Sequence, residues 1–154
     1  MKYVILKANI TGVKVKFEQK EADSFNQDEQ NRIINLIKTL DKSHNFTANR
    51  NSLILKILLF HGVRINELIN LQWIHTREEY DEVDGCVYRF QYMGKGAKER
   101  SLDFPIAFVE TNLDIIKKHV VSNYIVPSSS GEAMSQGSVY KMVKNLLQKI
   151  GITR

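Results

Sequence analysis

The sequence places one arginine and one lysine in settings where each could bind an anion. Arg64 comes shortly after Gly62, which is predicted to end a helix, and stands close to the start of the next helix. There the guanidinium fork and the free backbone N–H groups can converge on one phosphate. Lys95 lies between Gly94 and Gly96 at a predicted hairpin tip, where the glycines let the backbone come close to a partner. Arg64 and Lys95 are therefore the first candidates for phosphate chemistry.

Each candidate also has a simpler interpretation. Arg64 could be a surface arginine paired with Glu67, three residues later on the same helix face. A Gly-Lys-Gly turn is common at solvated hairpin tips, and its glycine spacing is not that of a Walker-type phosphate loop. The residues alone leave both interpretations open.

Helical spacing predicts three helices in the first half of the chain. The first begins at Asn26, where Glu29 completes a capping box. The second is expected to be capped by Thr47 and to end at Gly62. It is apolar on most sides, so we expect it to be the buried central helix. A short third helix is predicted over residues 65–70.

Alternation with a period of two then indicates strands. Residues 86–92 alternate, Gly94 and Gly96 supply a turn, and residues 100–104 alternate again on a returning strand. Residues 73–75 are considered for a third strand, and the acidic stretch 77–84 is expected to be a loop. Pro105 is predicted to end the sheet.

Two further helices are predicted after the sheet. One uses apolar residues between Phe108 and Val120, and the other runs from Ser135 to Gly151, with Tyr140 at the core margin. The predicted fold is a mainly helical α+β domain with a small antiparallel sheet. We expect residues 1–22 to be an extended linker, with a short strand around residues 3–6, and residues 23–154 to form the domain.

Charge and composition narrow the function. The net charge is +5 and the sequence pI about 9.3, and residues 137–154 carry four cations without an acid. Such segregation predicts a basic face of the kind that binds nucleic acid. No apolar run approaches the ~20 residues of a membrane span, and neither the single Cys86 nor the dispersed histidines suggest a metal site. We therefore expect a cytoplasmic protein without metal or cofactor.

The run from Arg50 to Trp73 resembles the first signature box of the tyrosine recombinases. That family has an arginine, an apolar helix and then Thr-Gly-Leu-Arg-x-Ser-Glu-Leu-x-x-Leu. Its later hairpin, Gly-Lys-Gly-x-Lys-x-Arg, is similar to residues 94–100, and its last segments are similar to Val126-Pro127, Met134-Ser135 and Gly151-Ile152. The resemblance covers residues 26–152.

The resemblance implies phosphoryl transfer on double-stranded DNA by a homotetramer, without metal or nucleotide. In that family a tyrosine attacks the phosphodiester and forms a 3′-phosphotyrosyl link. Arg64 would hold the non-bridging oxygens in the transition state, Lys95 would be the general acid for the departing 5′-oxygen, and Glu67 would support the site. Sequence-independent phosphate contacts would come from four further cations: Lys98, Arg100, Lys141 and Lys144.

The sequence departs from the family pattern at several positions. His61 stands where threonine or serine is usual, Asn66 stands where serine is frequent, and Pro105 comes late enough to leave the strand register open. The family's second box, His-x-x-Arg, and its tyrosine nucleophile follow the last helix, and the sequence has neither after Gly151. We expect a piece of a longer recombinase that cleaves nothing by itself.

Two other functions are compatible with these residues. One is a DNA-binding module that keeps the recombinase fold without the chemistry. The other is a helical protein-interaction domain, which predicts no salt-dependent binding to DNA, whereas both DNA-binding alternatives predict it.

Overall fold

A computed structural model describes residues 25–153 of the chain. The elements in chain order are α1 (Gln27–Lys42), α2 (Phe46–His61), α3 (Ile65–Ile69), a 3-10 turn (Trp73–His75), β1 (Thr76–Asp81), β2 (Gly85–Met93), β3 (Glu99–Pro105), α4 (Ile106–His119) and α5 (Gln136–Lys149). Three helices, an antiparallel sheet and two helices confirm the predicted α+β fold. The predicted linker and its strand lie outside the described residues.

Helix α2 is the centre of the helical layer, as predicted. Twelve of its 16 residues are buried, and α1 and α4 pack on it. The helix ends at Gly62, whose φ of 62° is left-handed. A residue without a side chain adopts that conformation at little cost, so the glycine terminates the helix and turns the chain toward α3.

The N-terminal cap of α2 differs from the prediction. The Oδ1 atom of Asn45 accepts a hydrogen bond from the N–H of Ala48 at 2.8 Å, whereas Thr47 is an exposed residue inside the helix. The prediction of Thr47 as cap was wrong because the helix already begins at Phe46. The cap of α1 is Asn26 as predicted, with its reciprocal bond to Glu29.

The sheet has the order β1-β2-β3 with both pairs antiparallel. The predicted strand at residues 73–75 is a 3-10 turn, and the acidic stretch predicted as a loop forms strand β1 and the start of its turn. All six residues of β1 are exposed or half-buried, so its apolar alternation is too weak to signal a strand. The register pairs Val87 with Pro105 and Met93 with Glu99, which settles the position of the late proline.

Aromatic side chains join the sheet to the helices. The Phe104 ring lies 5.7 Å from Phe108 of α4 and 6.3 Å from Phe90 of β2, centroid to centroid. Phe60 of α2 meets Phe108 edge to face at 5.3 Å. This cluster fixes the sheet relative to the end of α2, next to the turn that carries Arg64. Within residues 25–153, no helix has both the length and the apolar character required to cross a bilayer.

Candidate nucleic-acid interface

Arg64 stands at the N-cap position of α3, on an exposed turn. Its backbone is extended, with φ −73° and ψ 148°. The preceding Val63 is only 5% exposed, so its side chain anchors the turn in the hydrophobic core. Among the described residues the Arg64 guanidinium has no hydrogen-bond or ion-pair partner, which leaves its N–H groups available for an anion.

Glu67 does not form the ion pair that the simpler interpretation of Arg64 required. Its Oε1 atom accepts a hydrogen bond from the backbone N–H of Arg64 at 2.9 Å. The carboxylate therefore holds the turn by its backbone and does not neutralise the guanidinium. The resemblance predicts a supporting role for Glu67 in the active site, and that role stays a prediction.

The predicted hairpin tip joins β2 and β3. The N–H of Gly94 donates to the carbonyl of Lys98 at 2.8 Å, which closes the turn. Gly96 and Ala97 both have left-handed backbones, with φ of 77° and 57°. Lys95 and Lys98 are exposed on this turn, and their ammonium groups have no partner within the described part of the chain.

Arg100 lies two residues beyond the turn, opposite Tyr92 in the ladder. Its side chain folds over Gly94, since a Cβ atom built on that glycine would stand 2.5 Å from the Arg100 Nε. The glycine therefore makes room for the arginine at the hairpin. The three cations of the tip, Lys95, Lys98 and Arg100, are all exposed.

Helix α3 and the β2–β3 hairpin form opposite walls of one cleft of about 440 Å³. The α3 side contributes Asn66, Glu67 and Asn70, the hairpin contributes Gln91, Tyr92, Met93 and Glu99, and Gln72 and His75 lie between them. The elements that carry Arg64 and Lys95 thus face one another. The lining itself is rich in amides and contains two carboxylates, so a phosphate would bind to the flanking cations and not inside the cleft.

Tyr92 was not among the predicted site residues, although it is half-buried in this cleft. Burial raises the pKa of its phenol, the Glu67 carboxylate raises it further, and Arg100 opposes the rise. The Glu67 carboxylate and the Arg100 guanidinium thus both act on the Tyr92 phenol, with opposite effects on its pKa. Strand alternation alone could not reveal this position, because it depends on how α3 packs against the sheet.

Lys141 and Lys144 lie on the exposed face of α5, opposite the buried residues Val139, Val143 and Leu147. Helix α5 packs against α3, and the Gln136 Nε2 donates to the Asn66 Oδ1 at 3.2 Å. The lysines of α5 are therefore on an element adjacent to the Arg64 turn. Tyr140, expected at the core margin, is 53% exposed instead.

One His-x-x-Arg spacing does exist in the chain, formed by His61 and Arg64. It belongs to the end of α2 and not to a second box after Gly151. The His61 Nε2 lies 2.9 Å from the backbone carbonyl of Asp103, so the ring is engaged with β3. In the sequence, His61 is distinguished only as a departure from the family pattern.

Arg50, the first residue of the run that resembles the signature box, makes its contacts within the fold. It is half-buried, its Nη1 donates to the Pro127 carbonyl at 3.2 Å, and its guanidinium lies 5.2 Å from the centre of the Phe46 ring. Burial lowers its pKa. These contacts fasten the loop before α5 to α2.

The family model described as "Phage integrase family" matches residues 23–154. Among curated proteins, the chain is 26% identical over 160 residues to tyrosine recombinase XerH of Helicobacter pylori, and covers 42% of that protein. It is 29% identical over 136 residues to XerH of Campylobacter jejuni, with 35% of that protein covered. The matched part makes up 83% of this chain in the second case and 99% in the first.

Solved structures give the same result. A XerH site-specific recombinase bound to difH substrate, in a pre-cleavage complex, matches with a TM-score of 0.70 at 25% identity. That match covers 88% of this chain and 39% of the other. XerA recombinase matches in fold with a TM-score of 0.62 at 19% identity, over 90% of this chain and 46% of the other. The chain thus spans about two fifths of the length of these relatives, and it belongs to the phage integrase family of tyrosine recombinases.

Proposed function

We propose that this chain is the phosphate-binding part of a site-specific recombinase active site that works on double-stranded DNA. The observation that carries the proposal is a pair of exposed cations on the two elements that line the cleft. Arg64 on the α3 side and Lys95 at the hairpin tip are exposed, and neither side chain has a partner among residues 25–153. Unpaired exposed cations on facing elements suit a polyanion, because its phosphates supply the missing partners.

The proposed chemistry is transfer of a DNA phosphoryl group to a tyrosine. The tyrosine oxygen, as a phenolate, bonds to phosphorus as the bond to the 5′-oxygen breaks. This leaves a 3′-phosphotyrosyl link and, once the departing oxygen has taken a proton, a 5′-hydroxyl. Arg64 would bind the non-bridging oxygens as negative charge develops. Lys95 would give its proton to the departing 5′-oxygen, and Glu67 would hold the Arg64 turn through the backbone contact described above.

We assign the nucleophile to no residue of this chain. Tyr88 and Tyr92 are half-buried on β2, and burial raises the pKa of each phenol, which opposes formation of a phenolate. The second arginine is also unassigned. Assembly as a tetramer on DNA is part of the proposal, and it is supported by the likeness in fold to a lambda integrase tetramer bound to a Holliday junction.

The further cations would hold the DNA backbone without reading its sequence. Lys98 and Arg100 extend the basic hairpin tip, and Lys141 and Lys144 project from α5, next to α3. Contacts of this kind position a duplex and make affinity depend on salt.

Binding of a duplex by the chain over a series of salt concentrations tests the proposal. The double variant Arg64→Ala, Lys95→Ala should bind more weakly, and the slope of log affinity against log salt should fall by roughly two. A matched control is Lys38→Ala, Lys42→Ala, which removes the same charge from exposed positions on α1.

Equal losses of duplex affinity in the two double variants would mean that only the net charge matters, which would contradict the assigned site. Absence of duplex binding by the unaltered chain at low salt would count against a DNA-binding role for these residues.

A further inference from the structure

We infer that His61 is a positioning residue that locks the Arg64 turn to the edge of the sheet. Its effect on DNA would pass through Arg64, so this inference rests on the function proposed above. His61 sets the direction of the Arg64 side chain and makes no contact with substrate itself.

The contact joins the last residue of α2 to β3. The His61 Nε2 lies 2.9 Å from the backbone carbonyl oxygen of Asp103. A carbonyl can only accept, so the Nε2 atom must carry the proton. The imidazole also meets the Phe104 ring edge to face, with centroids 4.6 Å apart. One side chain thus makes a polar and an aromatic contact with two successive residues of the strand.

Strand β3 is an edge of the sheet, since the order is β1-β2-β3. Carbonyls on the outer side of an edge strand have no neighbouring strand to pair with. The His61 Nε2–H donates to one of these carbonyls, that of Asp103. The end of α2 therefore supplies a hydrogen bond that a neighbouring strand would otherwise make. The contact therefore couples a helix terminus to the sheet directly.

Strand β3, which His61 contacts, is itself held to β2 by side-chain hydrogen bonds. The Asp103 carboxylate accepts two hydrogen bonds from Arg89 of β2, from Nε at 2.8 Å and from Nη2 at 2.7 Å. Arg89 also pairs with Glu79 of β1. A network of charged groups therefore crosses all three strands at the level of the His61 contact, and this anchors the acceptor.

Only two residues separate His61 from Arg64. Gly62 has the left-handed φ of 62°, and Val63 is 5% exposed. A turn this short, with one member buried, has little freedom to absorb a shift of the helix end. Movement of His61 would therefore displace Arg64 relative to β3, and hence relative to the hairpin that carries Lys95.

The histidine is suited to this distance. A threonine or serine at the position has its hydroxyl one bond from Cβ, whereas the imidazole Nε2 lies farther out along the side chain. The longer side chain lets the helix end reach the Asp103 carbonyl and keep a ring against Phe104 at the same time. This chain thus uses its departure from the family pattern to fix its arginine.

Hydrogen exchange on the chain without DNA tests the positioning directly. His61→Phe keeps a ring against Phe104 and removes the donor, while His61→Gln keeps an N–H donor. We expect His61→Phe to speed exchange at the Arg64 amide, which is bonded to Glu67, and to leave the Ala48 amide at the other end of α2 unchanged. His61→Gln should restore much of the protection. Unchanged exchange at Arg64 in His61→Phe would overturn the inference.

Duplex binding by combined variants then tests the route of the effect. His61→Phe should weaken binding about as much as Arg64→Ala does, of the order of tenfold for one charge-assisted hydrogen bond. In an Arg64→Ala background it should have almost no further effect, whereas Lys141→Ala should still weaken binding. An equal loss with and without Arg64 would overturn the inference, because the contact would then act elsewhere.

The two hypotheses fail in distinguishable ways. If Arg64→Ala leaves duplex binding unchanged, the proposed function of Arg64 is wrong, while the exchange result still decides whether His61 holds the turn. If His61→Phe does not fold, His61→Gln carries the test. A His61→Gln chain with native stability and a fast-exchanging Arg64 amide would overturn the inference.

Discussion

The ammonium of Lys56 lies 2.9 Å from the Asp41 carboxylate in the helical layer, and the lysine side chain is only 1% exposed. The same ammonium donates to the Phe108 carbonyl at 2.6 Å and to the Asn112 Oδ1 at 2.7 Å. A fully hydrogen-bonded lysine therefore connects α1, α2 and α4. Because these partners offset the desolvation of the ammonium, the stability of the layer depends on them.

Asp41→Asn should destabilise the chain by about 2 kcal/mol, because it leaves a buried ammonium without its counter-charge. The value lies below that for fully buried pairs since Asp41 is 34% exposed. Chemical denaturation measures it. Asp28→Asn is the control, as it breaks the exposed Arg32–Asp28 pair and should cost less than about 1 kcal/mol. Equal costs would mean that the Lys56 pair is no more important than a surface pair.

The buried lysine also predicts a pH dependence. Desolvation lowers the pKa of Lys56 in the folded chain from its ordinary value of 10.5, although Asp41 opposes the shift. Between the two pKa values the unfolded state binds more protons, so the free energy of unfolding contributed by Lys56 rises with pH up to about 10.5. Relative to Lys56→Met, the unaltered chain should therefore gain stability as the pH rises toward that value. Denaturation of both proteins at several alkaline pH values checks the sign, and a falling difference would contradict it.

The start of α2 offers a test between two caps. Asn45→Ala should cost about 1 kcal/mol because the Ala48 N–H loses its acceptor. Thr47→Ala changes the residue that the sequence pattern favoured, and it should be almost neutral because Thr47 is exposed within the helix. Thermal melts of the two variants separate these outcomes. A larger loss of stability in Thr47→Ala than in Asn45→Ala would identify Thr47 as the cap, as the sequence pattern predicted.

Much of the fold follows from local pattern, whereas strand β1 does not. The buried helix α2, its stop at Gly62 and the hairpin around Lys95 each have a local signal, namely apolar density or paired glycines. Strand β1 has none, because its ladder with β2 is made by the backbone while its side chains are charged and solvated. Its pairing is a tertiary effect.

The residues of the candidate site also divide into those with a local sequence signal and those that depend on tertiary packing. Arg64 and Lys95 could be selected from neighbouring glycines and from the family resemblance. The His61–Asp103 contact joins residues 42 positions apart, and the Tyr92 position depends on α3 facing the hairpin. Local periodicity carries no information about contacts between residues that are far apart in the sequence. The roles of these residues follow only from the strand register and the packing of the helices.

The relation between Glu67 and Tyr92 can be measured without DNA. Since the Glu67 carboxylate adds to the effect of burial on the Tyr92 phenol, Glu67→Gln should lower the pKa of Tyr92 toward its ordinary value. Tyr88 is the internal control, as its pKa is raised by burial and by Glu78 and Asp114. Titration of the two ring signals by NMR distinguishes them. An unchanged Tyr92 pKa in Glu67→Gln would mean that α3 does not face the hairpin as described.

The exposed lysines of α5 predict a graded loss of DNA affinity. If Lys141 and Lys144 each contact a phosphate, each alanine substitution should reduce the salt slope by about one and weaken binding alike on any duplex sequence. Because both side chains are exposed and the buried face of α5 is formed by other residues, the melting temperature should hardly change. Lys118→Ala, which removes an equally exposed lysine from the last turn of α4, is the matched control. A slope that falls as much for Lys118→Ala would show that α5 contributes only to the net charge, and the contacts assigned to it would be wrong.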